Sequence, residues 1–154
     1  MSAIHIKFPA LTFKAGQRAL RQIRERGLQA ADVGVLPGAA GGPKPLGIQG
    51  LDLALFGEWL PSAPRQRALI GASIGSWRFA SACLDDPVEG IRRLGELYTE
   101  QDFAKGVTPS EISRSCQQML DDLLQGRDRQ ILANPHYRLN VLVVKSHGQL
   151  AHDH

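Results

Sequence analysis

One stretch dictates local shape more tightly than any other in this 154-residue chain. Arg67 to Ala72 is a short apolar run of strand character, and Ser76 to Leu84 resumes helical spacing. The chain must therefore pass from strand to helix within Gly71-Ala72-Ser73-Ile74-Gly75. So sharp a turn puts Ser73 in strained backbone. Glycines two residues before and after it leave room for strand and helix to pass closely.

A similar design precedes it. Val33-Gly34-Val35-Leu36 reads as a buried strand that feeds the loop Pro37-Gly38-Ala39-Ala40-Gly41-Gly42-Pro43-Lys44-Pro45, whose small and ring-constrained residues exclude regular structure. Leu51, Leu53, Ala54, Leu55, Phe56, Trp59 and Leu60 follow as a largely buried helix ended by Pro61 and Pro64. Ile4, Ile6 and Phe8 alternate with polar residues as a short edge strand, and Ala15 to Arg26 forms an amphipathic helix stopped by Gly27. Asp86-Pro87-Val88-Glu89 and Thr108-Pro109-Ser110-Glu111 each combine an N-cap, a first-turn proline and a capping-box glutamate. The second opens a helix with Ile112, Cys116, Met119, Leu120 and Leu123 on one side, ending near Gly126. Leu139 to Val144 is a third core strand. Strands alternating with helices predict an α/β fold of three layers, with a mostly parallel sheet and helices on both faces. The domain spans residues 1–148, and residues 149–154 form a frayed polar tail.

Hydrophobic residues at 43% and charged residues at 21% describe a globular chain. No apolar run reaches the roughly 20 residues of a membrane-spanning helix, and the start lacks a signal-peptide layout, so a cytoplasmic location is expected. The net charge of +3 is spread over Arg18, Arg21, Arg24 and Arg26, then Arg65 and Arg67, then Arg92 and Arg93. This bias suits peripheral contact with anionic lipid headgroups, although a solvated helix face accounts equally well for the first cluster. With aromatics at 6% and no dense basic cluster, nucleic acid is not an expected partner. Cys83 and Cys116 have no metal-type spacing and read as buried free thiols; neither a metal nor a cofactor is expected.

Gly71 to Gly75 fits G-x-S-x-G, in which the serine hydroxyl projects above a sheet as a nucleophile. The helix that follows directs its free N–H groups and positive dipole end at the same spot, so the Ile74 N–H is an oxyanion donor. The loop after the preceding strand presents further amides, those of Gly41 and Gly42, with Lys44 available to an anionic group nearby. That loop is not a phosphate-binding P-loop, because Pro43 stands before the lysine and Pro45 replaces the Ser/Thr that would hold magnesium.

A strand ending in a glycine loop, a helix, and a strand ending in G-x-S-x-G together resemble the patatin-like phospholipase family. Gly41, Gly42 and Lys44 match the family's loop and Gly71, Ser73 and Gly75 its elbow, while Ala40 and Pro45 stand where glycines are usual. The resemblance implies a serine acyl hydrolase acting on lipid esters through a Ser-Asp dyad. The family's aspartate lies in a D-G-G or D-G-A turn downstream; no such triplet occurs here, so the chain is expected to be the nucleophile-bearing part of a longer protein, inactive alone.

Three alternatives accompany this reading. Asp121 or Asp122 with His147 or His152 satisfies the chain order of an α/β-hydrolase triad, but both aspartates sit in a helix beside an apolar stripe, as on a solvated face. Trp77 and Phe79 are candidates for an acyl pocket or for packing of their helix. The rival function is a non-catalytic α/β module whose glycine loops hold an anionic ligand.

Overall fold

The computed structural model describes residues 12–102 and 106–145. The strand expected at Ile4, Ile6 and Phe8, the histidines His147 and His152, and the tail lie outside the described residues.

Helix α1, Gln17–Arg26, ends on Gly27, whose φ of 75° lets its N–H turn back to Ile23 O at 2.9 Å. A 3-10 turn at Ala30–Asp32 leads into strand β1, Val35–Gly38. Arg26 holds Asp32 at 2.6 Å, and this bond keeps the Asp32 carboxyl below the usual carboxylate range. After the glycine loop come a 3-10 turn at Lys44–Ile48 and helix α2, Gln49–Ala54, which continues as a π-helical stretch over Leu55–Trp59. The Leu60 N–H to Leu55 O bond, 2.8 Å, marks that wider winding.

Strand β2 is Arg67–Ala72, and helix α3, Ile74–Ala82, starts one residue past its end. Helix α4, Pro87–Thr99, is capped by Asp86, which accepts the Glu89 N–H. Helix α5, Pro109–Leu124, opens with the full capping box of Thr108 and Glu111; its bonds to Thr108 lower the Glu111 carboxyl. Helix α6, Asp128–Ala133, precedes strand β3, Tyr137–Leu142.

The three strands run parallel in the order β1-β2-β3, with Gly38 beside Gly71 and Gly71 beside Val141. The protein is thus α/β with a three-stranded parallel sheet. Leu69, Phe56, Leu60, Phe79, Cys83, Ile91 and Tyr137 make one core on the face that carries Leu36 and Leu139. Burial pushes the Cys83 thiol up to about 12, so it is inert packing, whereas Cys116 is only half-buried.

Four expectations change. Among the described residues helices cover one face of the sheet: on the other, Val35, Pro37, Arg138, Asn140 and Leu142 are exposed, and α1 buries none of its residues. The helix read over residues 51–60 buries one stripe, Asp52, Phe56 and Leu60, while Leu51 and Ala54 face outwards. Strand β1 begins two residues later than its apolar run and includes Pro37, which an edge strand tolerates. Strand β3 lies two residues earlier than read, because its partner β2 ends at Ala72 opposite Leu142; Val144 beyond is 94% exposed.

Arg67 corrects the picture of a basic surface. It is 2% exposed, and its guanidinium donates to Val33 O (3.1 Å), Ala30 O (3.0 Å), Ala63 O (2.8 Å) and Arg65 O (3.4 Å). Desolvation lowers its pKa, and the carbonyls satisfy it in place of an acid. It staples the entry to β1 onto the entry to β2. Arg65, which stays exposed, donates to Ala31 O, so of this pair Arg67 alone is withdrawn from the surface. Arg67→Ala is expected to lower the unfolding free energy by more than about 3 kcal/mol in urea titration, since several buried acceptors lose a charged donor. Arg65→Ala, at an exposed site, should cost under about 1 kcal/mol.

Candidate functional site

Ser73 occupies the single residue between β2 and α3 with φ 52° and ψ −128°, backbone that costs a non-glycine residue about 1–3 kcal/mol. The residue is exposed, and its side chain makes no capping bond to the helix it precedes. Its carbonyl accepts the Ser76 N–H at 2.8 Å. Ile74 is the first helical residue, so its N–H belongs to the first turn, which lacks intrahelical carbonyl partners. The Ile74 side chain points into the protein and is buried. Just below the bend, the Ser76 hydroxyl is buried with no partner among the described residues.

Three glycines create this arrangement. A Cβ on Gly75 would lie 2.2 Å from Gly38 O and 3.0 Å from Ala39 O; one on Gly71 would lie 2.5 Å from Ser76 Cα; one on Gly38 would lie 2.6 Å from the Phe79 ring. The first turn of α3 therefore rests directly on the end of β1, where the glycine loop departs. Because Gly38 and Gly71 are register partners, that loop and the elbow leave the sheet side by side at the carboxyl ends of adjacent strands. This is the crevice in which open α/β sheets bind ligands.

Within the loop, Gly42 has φ 55° and the Lys44 N–H bonds Gly41 O at 3.4 Å, closing a turn into the 3-10 segment. Gly41 and Gly42 are half-buried, and among the described residues neither N–H donates to a backbone carbonyl. The Lys44 stem lies along Gly41, 3.5 Å from where its Cβ would be, and the side chain is otherwise exposed. The segment is more regular than its composition suggests, since Lys44 already begins helical winding.

The other candidates fall elsewhere. Asp121 and Asp122 accept bonds from Gln117 and Gln118 on α5, which packs on α4 rather than on the elbow. Asp86 is a cap, and it lies beyond the far end of α3. Phe79 is buried edge-on against Phe56, centroids 6.1 Å apart, and belongs to the core; Trp77 is half-buried. Sequence reading passes over Asp52 and Arg78, which form a bidentate ion pair of 2.6 and 2.7 Å between α2 and α3, the carboxylate buried and the arginine partly so. The pair's trace in the sequence is one of two acids, Asp52 and Glu58, inside an apolar run.

No protein-family model, curated protein or solved structure matches this chain.

Two substitutions and one control test the geometry by denaturant unfolding. Ser73→Gly is expected to stabilise the fold by about 1 kcal/mol, because glycine adopts positive φ without strain. Gly75→Ala should cost about 3 kcal/mol or more, since its methyl meets backbone that has no room to yield. Gly47→Ala, with nothing within 4 Å, should stay within about 0.5 kcal/mol of wild type.

Proposed function

We propose that this chain carries the nucleophile half of a patatin-like serine acyl hydrolase that cleaves lipid esters. The observation that carries the reading is Ser73: an exposed, positive-φ residue at a strand-to-helix bend, beside a glycine loop leaving the neighbouring strand. A loop that merely bound an anion has no need of a strained serine at its centre.

In this reading Ser73 Oγ attacks the ester carbonyl and its proton passes to an aspartate. The carbonyl oxygen becomes an oxyanion, stabilised by the Ile74 N–H and by the amides of Gly41 and Gly42. As the carbonyl re-forms, the C–O bond to the alcohol breaks and the alcohol leaves with the proton, giving an acyl-serine that water hydrolyses. Lys44 suits an anionic headgroup beside the site, and α1 with its exposed Arg18, Arg21, Arg24 and Arg26 suits peripheral contact with a lipid surface of the cytoplasm.

In this reading the aspartate is the one the family resemblance implies, and no D-G-G or D-G-A turn of these residues supplies it. Asp52 is not a substitute, since both its oxygens are held by Arg78.

Treating the native gene product with a fluorophosphonate and mapping its tryptic peptides should find the label on Ser73, in the fragment that follows Arg67 and ends at Arg78. The Ser73→Ala protein should stay unlabelled and hydrolyse no ester. The 154-residue chain alone should turn over at least about 100-fold more slowly, for want of a general base. A native protein unlabelled at Ser73, or one that binds phosphate equally well with Ser73→Ala and hydrolyses nothing, would overturn the reading in favour of an anion-binding module.

A further inference from the structure

The glycine loop is small, partly exposed and pinned at its start by the contact of Gly75 with Gly38. What fixes its far end is less obvious, because Lys44–Ile48 is a single 3-10 segment with an exposed glycine in it. The first side chains beyond it that reach other elements belong to Gln49 and Asp52. Gln49 Nε2 donates to Ile91 O of α4 at 2.9 Å, against a face where Gly95 leaves the space its amide fills. Asp52, 3% exposed, accepts Arg78 Nε at 2.7 Å and Nη2 at 2.6 Å.

Arg78 stands one turn after Ile74 on the same face of α3. Ile74, Arg78, Asp52, Gln49 and Leu46 enclose a space of only about 20 Å³, so the junction is nearly filled. The helix that presents the elbow amide and the helix that follows the glycine loop are thus joined by a planar fork of two charged bonds.

Stability does not explain such a pair. A buried ion pair is often matched or exceeded by apolar residues of similar volume; what it adds is a fixed orientation, which a bidentate arginine specifies better than any greasy contact. We infer that Asp52 and Arg78 are positioning residues that hold the Gly41 and Gly42 amides in working register with the Ile74 amide, a role that deepens the hydrolase reading and rests on it.

The experiment compares wild type with Asp52→Leu/Arg78→Met and with Arg78→Lys. The double variant removes both charges together and so avoids an orphaned buried ion; Arg78→Lys keeps the charge and loses the fork. Two measurements are made on folded protein of checked melting temperature: amide hydrogen exchange at Lys44 and Leu46, the N–H groups of the stretch 41–46 that bond Gly41 O and Pro43 O, and the second-order rate of fluorophosphonate labelling at Ser73 in the native gene product. The inference expects exchange in that stretch to quicken at least about tenfold and labelling to slow about 10- to 100-fold in the double variant, with Arg78→Lys in between and the melting temperature held. Unchanged exchange, or an unchanged labelling rate, in a folded double variant overturns it. A wild-type protein that resists labelling sinks the hydrolase reading instead, and exchange then decides whether the clamp exists. If the double variant fails to fold, Arg78→Lys is measured in the same two ways, and unchanged exchange or labelling there overturns the inference equally.

Discussion

Everything at the carboxyl edge of this sheet depends on one close approach: the first turn of α3 lying on the carbonyl of Gly38 at a distance that excludes any side chain at residue 75. A helix normally stands off a sheet by the thickness of the side chains between them. Here Gly38, Gly71 and Gly75 remove that thickness in the two strands and the helix at the same level. The helix axis is brought down onto the strand ends, the connection shortens to the single residue Ser73, and the positive φ follows as the only way to turn the chain within it. Strain at Ser73 is therefore a consequence of the glycines rather than an isolated oddity.

Buried charge then does what apolar packing alone does poorly. At the amino end, Arg67 ties carbonyls from the 3-10 turn, the entry to β1 and the approach to β2 into one knot around a guanidinium. At the other side of the molecule, Asp52 and Arg78 fix α2 against α3. Leucine or phenylalanine, such as Phe56 and Leu60 between these two points, supplies most of the burial energy but tolerates rotation and sliding. Planar forks do not, so the two arginines define where the elements stop along one another.

The sequence shows most plainly what is local. The β2–Ser73–α3 bend, both capped helices, and the glycine-bounded ends of α1 and α5 follow from residue types within a few positions of each other. Faces and edges are less legible. Nothing within residues 139–144 says that pairing stops at Leu142; that is set by the length of β2, some seventy residues upstream. The six residues of α6 are too few to display a period. Arg67 is indistinguishable from a surface arginine in the sequence, because what buries it is the convergence of carbonyls from Ala30, Val33 and Ala63. Asp52 is hidden by the apolar residues around it, and its partner lies 26 positions away. Of the candidate site, the residues are readable and the device joining them is not.

That division has a physical reason. A tight strand-to-helix bend is a backbone conformation, and backbone conformation is written in glycines, which are visible one at a time. The alignment of two amide-bearing segments is a relation between helices, and such relations are written in pairs of side chains distant along the chain. A strained serine is of use only if its surroundings resist the relaxation the strain favours. The glycine contact holds one end of the loop and the Asp52–Arg78 fork holds the helix that follows it, so the two constraints oppose separation of loop and elbow from both sides. Loss of the glycine contact would release the strain at Ser73, whereas loss of the fork would leave the bend in place and let the helix after the loop shift against α3.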